Sequence, residues 1–388
     1  MSQGLRILLF YDCLYPRSVG GVEHRNSELA RALAARGHRV SLAGFADESS
    51  EPFPGVEILP VGPPGRLYTA SGKRSTGEAA RLARAALQLD LERFDVIETA
   101  NIPYAHLPPL ALRCRRAGKP LVVTWYEYWG RYWRQYLGSK WPLYAAVERL
   151  TARLGTAAIS SSRLTAERVE RVRGEPVPVV RIGVPLEAIR KAAAEGSGEG
   201  PPLVYAGRLL KEKRIDLLLE AVSRLGRVGP LLAIYGDGPD RARLENLAGR
   251  LGLMDQVVFG GHLPTNVDLW RRLGAARIAV QPSSREGYGM FPLEAMAAGL
   301  PVVYCESSES ALPELVEAGV HGLQTAAEPG ALSSALERLL SSEGERRWLA
   351  DNARRHAEGF DWGVVAAATE AVFLKALVAR AVAHVPGR

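Results

Sequence analysis

Two carboxylates, Glu286 and Glu294, stand eight positions apart around Gly287-Tyr288-Gly289-Met290-Phe291-Pro292-Leu293. A carboxylate repels phosphate but accepts hydrogen bonds from hydroxyls. The residues between the two acids suit the opposite kind of ligand. Pro292 fits the first turn of a helix, where its missing N–H would be unpaired in any case. Gly299 fits the C-terminal cap, and Pro301 cannot continue the helix. A short helix is therefore predicted over about residues 292–298. Its N-terminus aims backbone N–H groups and a partial positive charge at whatever lies beside residues 287–291. The glycines let the backbone approach closely. A ligand with both phosphate and vicinal hydroxyls meets both demands, and a sugar nucleotide is such a ligand. The plain alternative is a well-packed βα turn, with Glu294 as a dipole-favoured helix starter.

Fixed positive charge for a diphosphate stands in Gly207-Arg208-Leu209-Leu210-Lys211-Glu212-Lys213. Arg208 offers a forked donor and Lys213 a point charge. Gly236-Asp237-Gly238-Pro239 and Gly260-Gly261-His262-Leu263-Pro264 follow strand-like runs. Gly238 and Leu263 suit the walls of a base pocket. Near the N-terminus, Gly20-Gly21-Val22-Glu23 makes a second backbone cradle before a helix. It lacks the G-x-G-x-x-G spacing, so dinucleotide redox chemistry is not favoured.

These loops need rigid elements behind them. The chain of 388 residues suits two domains. Strand-like runs alternate with helical stretches throughout, which indicates parallel sheets covered by helices on both faces. The composition shifts to Ala, Glu, Gly and Ser over residues 191–202, and the pattern then restarts. The expected division is an N-terminal domain of residues 1–184, joined by a last helix over about 364–388, and a C-terminal domain of 185–363. Two doubly wound domains facing each other would leave a cleft at their carboxyl strand edges.

Bulk properties exclude several classes. Hydrophobic residues make up 47% and charged residues 23%, values of a globular protein. Three widely spaced cysteines, Cys13, Cys114 and Cys305, argue against a disulfide framework and fit a reducing compartment. The first apolar run is too short for a signal peptide, and no uninterrupted run reaches membrane-spanning length. No metal-ligand spacing occurs among Cys and His. The net charge of +7 is unevenly spread. Residues 1–190 hold 27 Lys and Arg against 18 Asp and Glu; residues 191–388 hold 22 against 24. Such a field favours an acidic partner; the alternative is that the high Arg content reflects genome composition or thermal adaptation, with no partner.

Together these segments resemble retaining glycosyltransferases of the GT-B fold, family 4, over almost the whole chain. The resemblance rests on Glu286 and Glu294, on Gly20, Gly21 and Glu23, and on Gly207, Arg208 and Lys213. It implies an α/β architecture of two Rossmann-like domains around a central cleft. It implies that Arg208 and Lys213 hold the nucleotide diphosphate, Glu294 the ribose hydroxyls and Glu286 the donor sugar. The backbone of Gly287, Tyr288, Gly289, Met290 and Phe291 would line sugar and phosphate, with Gly20 and Gly21 closing from the other domain. Many relatives carry a His–acid pair after the strand at residues 122–124; here it is Tyr126-Glu127. Tyr126 can donate a hydrogen bond to a sugar but cannot serve as an acid or base at neutral pH.

Trp125, Trp129, Trp133 and Trp141 are four of the chain's seven tryptophans. Arg131, Arg134 and Lys140 are interleaved with them. Trp and Tyr favour the membrane–water interface, and the cations favour anionic headgroups. The alternative is an aromatic core helix or a platform for a glycan acceptor. The reading at this stage is a hexosyltransferase using a nucleotide diphosphate sugar, GDP-mannose first, with a lipid-linked or glycan acceptor. It requires no metal or cofactor, takes no nucleic acid, and sits in the cytoplasm on the inner face of a membrane. The alternatives are a UDP-sugar enzyme with a soluble acceptor, a sugar-nucleotide epimerase or hydrolase, and a non-catalytic membrane-binding protein.

Overall fold

Short β-branched runs such as Leu121–Trp125 are buried at every position, as strands covered on both faces are. A computed structural model shows how they are arranged. It describes residues 4–15, 21–67, 74–196, 200–226, 229 and 231–383.

The chain forms two units, residues 1–183 with 362–388, and residues 184–361. The first contains β1 (Arg6–Cys13), β2 (Arg39–Phe45), β3 (Ser50–Phe53), β4 (Val56–Pro60), β5 (Val96–Ala100), β6 (Leu121–Trp125) and β7 (Ala157–Ser160). Their order in the sheet is β3-β4-β2-β1-β5-β6-β7. Every pairing is parallel except β3 with β4 at the edge. Leu8, Phe10, Ile97, Val123 and Trp125 are core residues of this unit.

The second unit repeats the plan with β8 (Leu203–Ala206), β9 (Leu232–Tyr235), β10 (Val257–Gly261), β11 (Ile278–Gln281), β12 (Val302–Cys305) and β13 (Gly322–Thr325). The order is β10-β9-β8-β11-β12-β13, parallel throughout. Leu203, Tyr205, Leu218, Ile234, Ile278 and Val303 fill its core.

The last helix, Trp362–Ala383, belongs to the first unit. Residues Trp362–Val382 are long and apolar enough to cross a membrane by length and mean hydropathy, 1.6. The run is not uninterrupted, since Glu370, Lys375 and Arg380 lie within it. One face of the helix packs into the core, where Val365, Ala366, Phe373 and Ala376 are buried, while Val364, Leu374, Val378 and Val382 on the helix are exposed. Glu370 pairs with Arg36 at 2.5 Å and faces His38 at 3.3 Å.

Candidate active site

In the second unit the strand order reverses between β8 and β11. Loops leaving adjacent strands at such a point diverge and open a crevice at the carboxyl edge of the sheet. Both predicted charged groups leave from these two strands. Arg208 and Lys213 follow β8, and Glu286 follows β11. Serine and backbone contacts tie the two loops together. The Ser284 N–H and hydroxyl both donate to the Glu212 carbonyl, at 2.9 and 3.1 Å. Lys213 Nζ then donates to Glu286 Oε2 at 2.7 Å. Gln281, the last residue of β11, donates to the same oxygen at 2.7 Å and to Ser283 Oγ at 2.9 Å. A buried carboxamide thus aims the Glu286 carboxylate toward Lys213. Gln281 escaped the sequence reading, because a Gln ending a strand looks like any other.

Arg208 is exposed. Its carbonyl accepts the Tyr205 hydroxyl at 3.4 Å, and the Tyr205 ring lies 5.9 Å from Phe291. The two charged loops therefore share one aromatic support. Gly207 has φ 152°, and a Cβ there would come within 2.8 Å of the Tyr205 hydroxyl.

The predicted helix spans Met290–Ala298, starting two residues before Pro292. Gly289 at φ 98° precedes it, and Gly299 at φ 90° closes it. A side chain at Gly289 would approach Leu312 to 2.8 Å. Tyr288 and Phe291 turn their side chains inward, while Gly287 and Met290 are half-buried. The backbone of this turn and the half-buried Met290 are left to meet a ligand.

Glu294 sits in this helix, buried, and accepts the Trp270 indole N–H at 3.0 Å. Burial raises its carboxyl to about 7, against the opposing pull of the Trp270 bond. Trp270 lies on the helix Asn266–Gly274, which Thr265 and Asp268 start with a capping box. The sequence reading missed Trp270. A Trp on the inward face of a helix needs an acceptor for its N–H, but the pattern does not say which acid supplies it.

Gly238 and Leu263 lie half-buried in the loops after β9 and β10. The Gly238 N–H is taken by the neighbouring Asp237 carboxylate at 2.7 Å. A Cβ at Gly238 would collide with the Leu209 backbone, so this glycine permits two loops to touch.

In the first unit, Gly20 lies outside the described residues. Gly21 opens the helix Gly21–Ala35, and Glu23 in its first turn accepts the Cys13 thiol at 3.0 Å. Tyr126 is a correction. Its hydroxyl is enclosed and makes no well-aligned hydrogen bond, close to the Arg25 guanidinium and Glu98. Its ring packs on Tyr11, Cys13 and Ala100. Burial raises its ionisation well above the usual phenol range. A hydroxyl so enclosed is not presented to a sugar. Glu127 is half-buried, and its carbonyl accepts from Asn101 at 3.3 Å.

The aromatic segment is a second correction. Trp133 is 5% exposed and stands 4.5 Å from Trp129 and 5.3 Å from Tyr144, ring to ring. Trp129 and Trp141 pack against the same core. Buried Glu148 pins the turn by accepting the N–H groups of Trp129 and Gly130 at 2.7 and 2.8 Å, and the Tyr104 hydroxyl at 2.8 Å. The buried ring of Trp133 cannot join an interfacial belt, and Trp129 and Trp141 are half-buried against the same core. Arg131, Arg134 and Lys140 are exposed.

The model of glycosyl transferases group 1 matches residues 189–356, and that of Glycosyltransferase Family 4 matches residues 19–188. An uncharacterized glycosyltransferase of Methanocaldococcus jannaschii is 35% identical over 175 residues, 44% of each chain. The MMP alpha-(1->4)-mannosyltransferase of Mycolicibacterium hassiacum is 33% identical over 260 residues, 64% of this chain and 61% of that protein. The matched stretches thus span about half the length of these relatives. Sucrose-phosphate synthase of Thermosynechococcus elongatus superposes with a TM-score of 0.81 at 20% identity, over 97% of this chain and 100% of that one.

Proposed function

Because the chain belongs to glycosyltransferase family 4 and has the GT-B fold, we propose that it is a retaining hexosyltransferase. It moves a sugar from a nucleotide diphosphate to an acceptor hydroxyl. The observation that carries this reading is the Lys213–Glu286–Gln281 cluster beside the N-terminus of the helix Met290–Ala298.

Each part has a role. The Lys213 ammonium has three donors, so it can keep Glu286 and still reach a phosphoryl oxygen. Arg208 and the helix N-terminus add positive charge where the leaving diphosphate gathers negative charge. Glu286 accepts a hydroxyl of the donor sugar. Glu294, oriented by Trp270, accepts ribose hydroxyls. The bond from the anomeric carbon to the phosphate oxygen breaks. The acceptor oxygen bonds to that carbon on the same face, and its proton passes to the departing phosphate. This charge set does the work a metal would otherwise do, so the reading requires none. The mannosyltransferase relative favours mannose, and GDP-mannose is the first donor to test. The acceptor is a lipid-linked or glycan hydroxyl, met by peripheral contact with a membrane in the cytoplasm.

A thermal-shift panel of GDP, UDP and ADP sugars tests the donor. The right one, at a hundred times its dissociation constant, adds about 2.7 kcal/mol of stability. Activity that survives a chelator and a product of unchanged anomeric configuration are expected. A chain that no sugar nucleotide stabilises is not this enzyme. Nucleotide release that no acceptor accelerates points to a hydrolase.

A further inference from the structure

The segment that turns its tryptophans inward has an outward side of different character. Leu143 and Leu150 in the helix Trp141–Thr151 are 67% and 62% exposed. Seven residues apart, they share one helix face, with Ala146 exposed between them and Pro142 beside Leu143. Arg131, Arg134, Lys140, Arg149 and Arg153 of the same segment are exposed. Residues 131–153 contain a single acid, Glu148, and it is fully buried in the hydrogen-bond set that pins the turn. Burial also pushes its carboxyl above the usual range. No acid of the segment therefore offsets the outward charge.

We propose that the face of Leu143 and Leu150, bordered by Lys140, Arg149 and Arg153, docks on an anionic lipid surface. The inference rests on the reading of a membrane-side acceptor and replaces the tryptophans with leucines as the inserting groups. An apolar stripe seats at the boundary between headgroups and acyl chains while the surrounding cations meet lipid phosphates. A single-stranded nucleic acid would use the same cations but needs open rings for its bases. The ring of Trp133 is buried in the core, and that of Trp129 is half-buried against it.

Vesicle co-sedimentation tests the proposal, with phosphatidylglycerol–phosphatidylcholine vesicles set against phosphatidylcholine alone at low salt. The wild-type chain should bind the anionic vesicles and release them as salt rises. Leu143→Ser with Leu150→Ser should weaken binding about tenfold or more. Arg149→Glu with Arg153→Glu should do the same through charge. All four positions are exposed, so melting temperature and sugar-nucleotide binding should not change in either variant. Wild-type protein that ignores anionic vesicles overturns the proposal. So does vesicle binding that survives loss of both leucines, and so does an RNA oligonucleotide that displaces the vesicles from a leucine-insensitive site. Donor binding is read separately, so its failure breaks the transferase reading and not the vesicle result.

Discussion

Each unit holds a carboxylate–cation pair where its strand order reverses, and the two pairs differ in a telling way. In the first unit Arg25 meets Glu98 at 2.5 Å, with side chains 4% and 2% exposed. In the second, Lys213 meets Glu286 at 2.7 Å, with side chains 18% and 14% exposed. Glu98 lies within β5, and Thr124 on the adjacent β6 also donates to it at 2.5 Å. Glu286 lies five residues beyond the last residue of β11, in a loop. A carboxylate within a strand is locked between sheet and helix; one carried past the strand end meets the crevice. The cations match these places. The weakly hydrated, forked guanidinium suits a buried pair, and the flexible ammonium suits one that must also reach a ligand. The same architecture thus uses one pair as framework and the other as ligand-binding charge.

The largest expected effect breaks the framework pair. Glu98→Ala leaves the Arg25 guanidinium buried without its partner, and should cost about 3–5 kcal/mol of folding stability. Urea denaturation measures it. A variant that unfolds at the wild-type midpoint would put the two pairs in the same class and remove the contrast.

The open pair should respond in the opposite sense. Lys213→Ala should change stability by no more than about 1 kcal/mol, because the pair is partly solvated. Turnover should fall about a hundredfold, since the lost donor acts on charge that grows as the bond breaks. Arg208→Ala belongs to the same class. Steady-state kinetics beside a melt separates the two effects. Near-normal turnover in either variant removes that residue from the diphosphate role.

The contrast also shows what a sequence reveals. Gly289, Pro292 and Gly299 place a helix because turn and cap chemistry is local. Glu286, Glu294, Arg208 and Lys213 stand out because charge beside glycine at a strand end is unusual. The partners that orient these groups are distant in sequence. Gln281 and Trp270 are recognisable only once β11 and the helix Asn266–Gly274 have brought them to the acids. The aromatic segment failed for a related reason. Its composition fits both an interface and a core, and only the fold turns Trp133 inward and Leu143 outward. Tyr126 failed likewise: its place after β6 was legible, but not the direction of its hydroxyl.

The smallest effect, and the sharpest, concerns the carboxylate that belongs to neither pair. Glu294 answers to an indole rather than a cation, and burial raises its carboxyl to about 7. Ribose hydroxyls need the ionised form as acceptor. Affinity for a sugar nucleotide should therefore rise with pH, by up to about tenfold between pH 6 and pH 8. The two phosphates of such a donor do not titrate there, so the midpoint belongs to the protein. Folding has the opposite slope. A carboxyl raised in the folded state holds its proton longer than in the unfolded chain. Unliganded stability should fall as pH rises from the ordinary carboxyl value, 4.5, to about 7, and then level off. Trp270→Phe keeps an aromatic ring, though a smaller one, and removes the N–H that favours the ionised form. Its binding midpoint should move up by about one to two pH units, since a hydrogen bond to a charged group is worth roughly 1.5–3 kcal/mol. Glu294→Gln should flatten the profile. A flat wild-type profile would take Glu294 out of the ribose role. A midpoint unmoved in Trp270→Phe would leave the indole as packing alone.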